Sequence, residues 1–82
     1  MTAKEMFEKL GFKQTIETKK YETIISLVST RQFQEEVITI NQKYRYVTLY
    51  AYDEWGEMKR LPITVELHLA ITQQMKELGW IE

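Results

Sequence analysis

Two runs share one design: Phe7-Glu8-Lys9-Leu10-Gly11-Phe12 near the start and Met75-Lys76-Glu77-Leu78-Gly79-Trp80 near the end. Each reads as the last turn of a helix, a glycine that supplies a left-handed residue, and an aromatic that folds back over the turn. In such a stop the residue after the glycine contacts the one four positions before it, or one further back. Phe12 is therefore expected to meet Phe7, and Trp80 to meet Met75, a thioether against an indole edge. Everything between the two stopped helices reads as strand, which fixes an architecture but says little about chemistry.

The 82 residues are enough for one domain and too few for a large core. With no cysteine, a disulfide framework and a thiolate metal site are both absent from the options, which suits a reducing compartment. No basic segment followed by an apolar run opens the chain, and no apolar stretch has spanning length. The expected setting is the cytoplasm, without a membrane. Eleven basic residues against twelve acidic ones leave a formal charge of −1, which argues against a strong footprint for duplex nucleic acid. Three glycines and one proline leave no flexible linker and no low-complexity tract.

Thr2 followed by Glu5 forms a capping box, and Ala3, Met6, Phe7 and Leu10 make one apolar stripe, so the first helix is expected over about residues 3–10. Phe12 to Lys20 reads as an edge strand or an extended loop. Tyr21 to Ser29 contains Ile24-Ile25-Ser26-Leu27-Val28, apolar on both faces as in a central strand. Ser29-Thr30-Arg31-Gln32 is the expected turn, Phe33–Ile40 the next strand, and Asn41-Gln42-Lys43 the next hairpin. Tyr44–Tyr52 follows as a strand, Asp53 to Glu57 as its break, and Met58 to Leu61 as an irregular connection. Thr64 is the expected N-cap of a last helix whose core side is Leu67, Ala70, Ile71, Gln74, Met75 and Leu78. The pattern predicts an α+β domain over residues 1–82, a meander of three or four antiparallel strands with both helices on one face.

Catalytic chemistry finds little support. His68 has no histidine or cysteine companion and is expected at the margin of the helix's apolar stripe, half covered by the sheet rim. Glu35-Glu36 and Asp53-Glu54 are adjacent on strands or turns, so each pair points to opposite faces and is expected to be solvated. No phosphate-cradling glycine loop and no serine-centred elbow is present, and no cofactor or metal is implied.

The informative constellation is Tyr44, Tyr46, Thr48, Tyr50 and Tyr52, which alternate with Val47, Leu49 and Ala51. The aliphatic side is expected under the helices and the tyrosine side on the face they leave open. Three readings stay open: aromatic packing that shields the sheet, a protein-binding surface, and a stacking platform for single-stranded nucleic acid helped by Arg45, Lys43 and Arg31. Val65 and Leu69 point away from the core stripe of the last helix and make a second candidate contact for a partner or a dimer. Trp55 precedes Gly56 in the acidic turn and has two readings, a third exposed anchor or, more often for such a tryptophan, a ring folded back over the sheet edge.

The segments Thr2-Ala3-Lys4-Glu5-Met6-Phe7-Glu8-Lys9-Leu10-Gly11-Phe12, Pro62-Ile63-Thr64 and Met75-Lys76-Glu77-Leu78-Gly79-Trp80-Ile81 resemble small proteins of unknown function from bacteriophages and prophages of Gram-positive bacteria. The resemblance covers the two ends, and its motifs are stops and caps. It departs after the last cap, where Val65-Glu66-Leu67-His68 is less acidic than in those proteins. It implies a phage accessory protein in the cytoplasm of an infected host, and it supplies no site residues. The combined expectation is a non-catalytic interaction module binding a host or phage protein, or a second copy of itself, through Tyr44, Tyr46, Tyr50, Tyr52 and Arg45, with Val65 and Leu69 as further contacts. The alternative is single-stranded nucleic-acid binding by the same sheet face.

Overall fold

The structure is a computed structural model and describes residues 1–31 and 34–81. Among them the order is helix α1 (Ala3–Lys9), strands β1 (Lys13–Lys19), β2 (Glu22–Arg31), β3 (Gln34–Asn41), β4 (Tyr46–Tyr52) and β5 (Met58–Lys59), then helix α2 (Val65–Glu77). The strands form one antiparallel meander in the order β1-β2-β3-β4-β5, so the fold is α+β.

Local chemistry explains both helix boundaries. The Glu5 N–H donates to Thr2 Oγ1 at 3.2 Å while the Glu5 carboxylate accepts from the Thr2 N–H at 3.0 Å, which closes the capping box. Thr64 Oγ1 accepts from the Leu67 N–H at 3.1 Å and starts α2. Both ends are Schellman stops. Gly11 (φ 93°) donates to Glu8 O while Phe12 donates to Phe7 O, each at 3.0 Å. Gly79 (φ 76°) donates to Lys76 O at 3.0 Å and Trp80 to Met75 O at 2.9 Å. The Phe7 and Phe12 rings meet edge to face with centroids 6.1 Å apart. The start of α1 also meets the end of α2. The Ala3 N–H, an orphan donor in the first turn of α1, donates to the Glu77 carboxylate at 2.6 Å.

Cross-strand register sorts the sheet into two faces. Ile25 pairs with Ile40 and Ile40 with Val47, while Leu27 pairs with Ile38 and Ile38 with Leu49. These side chains join Ala3, Phe7, Phe12, Leu67, Ala70 and Ile71 in one apolar cluster, so both helices lie on this face. The hydrophobic effect drives the arrangement, because α1 is too short to persist in water without packing.

Several expected boundaries move. The segment 12–20 does form a strand, β1, and its lysines lie at the sheet edge, where charge discourages pairing with another chain. Ser29, Thr30 and Arg31 are not a turn but the end of β2, held by pairing with Glu36, Glu35 and Gln34, and Ser29 is buried on the helix face. The remainder of that expected turn, Gln32, and the first residue of the expected third strand, Phe33, lie outside the described residues. Met58 and Lys59 pair with Tyr52 and Ala51 as β5, so the connection expected to be irregular adds a fifth strand. Asn41 belongs to β3, and the hairpin loop is 42–45.

Candidate functional site

The face opposite the helices can be read row by row from the register. Three adjacent rows across β2, β3 and β4 are Val28–Val37–Tyr50, Ser26–Thr39–Thr48 and Ile24–Asn41–Tyr46. None of these nine positions is charged. Charge enters the same rows at the β1 edge, as Lys13 and Glu17. A fourth row is Thr30–Glu35–Tyr52–Met58.

The tyrosine alternation holds for Tyr46, Tyr50 and Tyr52, all on this face. Tyr44 leaves the set. It lies with Arg45 in the loop 42–45, because β4 begins at Tyr46. Asn41 shapes that loop: its side-chain oxygen accepts from the Tyr44 N–H at 2.9 Å, and its carbonyl accepts from the Arg45 N–H at 3.0 Å. Closing the hairpin this way requires φ 56° at Arg45, a conformation that side-chain-bearing residues rarely adopt.

Two of the three strand tyrosines are half-buried, and the third is open. Tyr50 and Tyr52 stack edge to face at 5.5 Å between centroids. Val37 is only 5% exposed on a face without a helix, so its cover comes from neighbouring side chains, with Tyr50 directly opposite. Shielding of the sheet therefore accounts for Tyr50 and Tyr52. It does not account for Tyr46, which stays 50% exposed, nor for Tyr44, which is exposed in the loop.

One feature was not legible in the spacing. The β1–β2 turn and the loop 42–45 share one end of the sheet, linked by the Gln42 N–H donating to Thr23 O at 3.1 Å. There the Lys43 ammonium lies 5.1 Å from the Tyr44 ring centroid and 5.7 Å from that of Tyr21, with Lys20 6.0 Å from Tyr21. This basic, aromatic end is a cation–π cluster. The other end carries Glu35 and the Asp53–Glu57 turn. Asp53 Oδ1 accepts from the N–H groups of Trp55 and Glu57, both at 2.9 Å, and Oδ2 lies 3.5 Å from Lys59 Nζ. The Glu57 and Trp55 amides and the Lys59 ammonium hold the Asp53 carboxyl below its usual range. Trp55 does not fold over the sheet edge; it is 77% exposed.

On α2, Val65 and Leu69 are 72% and 51% exposed, as expected. Leu69 borders an open hollow of about 190 Å³ with Met1, Met6, Lys9, Leu10 and Glu66. His68 is exposed rather than half covered, because its neighbours Leu67 and Ile71 take the core positions. Among the described residues no three His, Asp or Glu side chains gather as a metal site, and no helix is long and apolar enough to cross a membrane. Arg31, a sequence candidate for added charge, has a side chain outside the described set.

Comparison with known proteins gave no matching family profile, no matching curated protein and no matching solved structure.

Proposed function

We propose that this chain is a non-catalytic interaction module that docks a protein on its tyrosine-bearing sheet face. The observation carrying this reading is the block of nine uncharged positions, Tyr46 and Tyr50 included, on the face opposite both helices. Charge depletion at the centre of a patch is the compositional mark of interface cores, and tyrosine is enriched among residues that dominate binding energy. Covering that block would contribute roughly 25 cal/mol per Å² of apolar area. The likeness of the chain's two ends to phage and prophage proteins supports an accessory role in an infected cell, with a host protein or defence component as the target.

The test compares three immobilised chains against host lysate: wild type, Tyr46→Ser/Tyr50→Ser, and Val65→Ser/Leu69→Ser. The expected result is a captured protein lost only with the tyrosine variant. Capture that survives the tyrosine changes overturns the reading.

A second reading, single-stranded nucleic-acid binding, is favoured by one observation, the Lys43 ammonium set between the rings of Tyr21 and Tyr44. It predicts quenching of tyrosine emission by oligonucleotide and a steep fall in affinity with salt. A flat titration at low salt dismisses it.

A further inference from the structure

Resting on the docking reading above, we infer that in the absence of that target the tyrosine face is covered by a second copy of this chain, packed sheet against sheet with the strands of the two copies antiparallel. The distribution of charge along the strands carries the argument. One end of the sheet holds Lys19, Lys20, Lys43 and Arg45, against Glu22, paired to Lys19, and Glu17 two residues along β1. The opposite end holds Glu35, Asp53, Glu54 and Glu57, with Lys59 spent on Asp53, Arg31 closing β2 and Lys13 opening β1 there, so acidic residues still outnumber basic ones. Between the two ends lies the uncharged block.

A two-fold dimer that brings this face against itself has its axis in the plane of the interface. If the axis runs along the strands, lysine end meets lysine end and glutamate end meets glutamate end. If it runs across the strands, each basic end covers an acidic end, twice per dimer. Like-charge juxtaposition is costly and opposite charges fix register, so electrostatics selects the second arrangement. That arrangement also brings the turn bearing the exposed Trp55 to the end where Tyr21, Lys43 and Tyr44 cluster, a cation–π pairing of the kind found at binding hot spots.

Area sets the strength. Four strands about 4.8 Å apart, each about eight residues long at ~3.3 Å rise, present roughly 500 Å² in plane before side-chain relief is added. A standard interface takes about 800 Å² from each partner, so the pair sits at the small end and dissociates on dilution and with added salt.

The experiment is a charge swap read by sedimentation velocity over a concentration series. Wild type is expected to move from one chain to two as concentration rises. Lys20→Glu/Lys43→Glu and Glu35→Lys/Glu54→Lys change exposed residues, and circular dichroism checks that both variants keep the fold. Each alone is expected to associate about tenfold more weakly, because like charges now face each other at both ends. An equimolar mixture is expected to regain wild-type association, since both ends of the mixed pair are again complementary. A wild type that stays monomeric throughout overturns the inference, and so does a mixture no stronger than its components. A dimer that Tyr46→Ser/Tyr50→Ser leaves intact sits elsewhere on the molecule and overturns it as well. A monomeric wild type that still loses a captured lysate protein through Tyr46→Ser/Tyr50→Ser leaves the docking reading standing, so the two failures are told apart.

Discussion

Arg45 is held where glycine or asparagine would be at ease. Its φ of 56° is imposed by the hairpin, because Asn41 accepts the amides of both Tyr44 and Arg45. Left-handed backbone costs a side-chain-bearing residue roughly 1–2 kcal/mol, and asparagine less, so Arg45→Asn is expected to stabilise the fold by about 0.5–1 kcal/mol in urea unfolding. If arginine is retained for the charge it adds to the basic end, the same variant weakens self-association while raising stability. Asp53 works at the other end. Its folded-state pKa lies below the ordinary 3.8, so its contribution is complete above that value and is lost as pH falls through the lower one. Asp53→Asn is therefore expected to shrink the stability difference between neutral and strongly acid solution, measured by urea midpoints at both. An unchanged difference would show that other carboxylates carry the acid response. Neither residue's role was visible in the chain as a string. Arg45 read as part of a strand, and Asp53 as one of two solvated carboxylates.

The helices illustrate what elements can announce for themselves. Thr2 with Glu5, Thr64, Gly11 and Gly79 all act within one turn of their own position, so spacing alone located both starts and both stops. The strands were harder. Ser29 and Thr30 look like turn residues, yet β2 runs through them because β3 offers Glu36 and Glu35 as partners across the ladder. The pair Met58–Lys59 becomes a strand for the same reason, with Tyr52 and Ala51 beside it. A strand makes its ladder hydrogen bonds to neighbouring strands, and local spacing carries no record of those partners. Glu77 shows the same limit on a helix. It stands in the last turn of α2, yet it accepts the Ala3 amide at the start of α1. Glu77→Ala is expected to cost about 1 kcal/mol by leaving that amide without its acceptor, seen as a lower thermal midpoint. Glu77→Gln keeps an acceptor and should recover most of the loss.

For the whole molecule, the single cluster joining α1, α2 and the helix face of the sheet is what makes so short a chain foldable. Leu27 and Ile38 are fully buried there, paired across β2 and β3. Leu27→Ala is expected to destabilise by about 2–5 kcal/mol. A domain of this length holds only about 4–12 kcal/mol in total. The variant should therefore unfold at a much lower urea concentration, and a change below about 1 kcal/mol would mean that the helices are held chiefly elsewhere. The back of the sheet follows from that same packing: with both helices committed to one side, the alternating tyrosines are left on the other. Periodicity determined by itself that there would be two capped and stopped helices, that one strand would carry rings on one side and aliphatic groups on the other, and that the class would be α+β. These are properties of neighbours in the chain, set by bond rotation and hydrogen bonding over one turn or one pleat. The tertiary structure alone decided that Tyr44 and Arg45 leave the strand, that Lys43 lies between Tyr21 and Tyr44, and that basic and acidic residues collect at opposite ends of the sheet. Those facts depend on register between strands far apart in sequence, where burial of the shared core chooses one alignment and every charge is carried along with it.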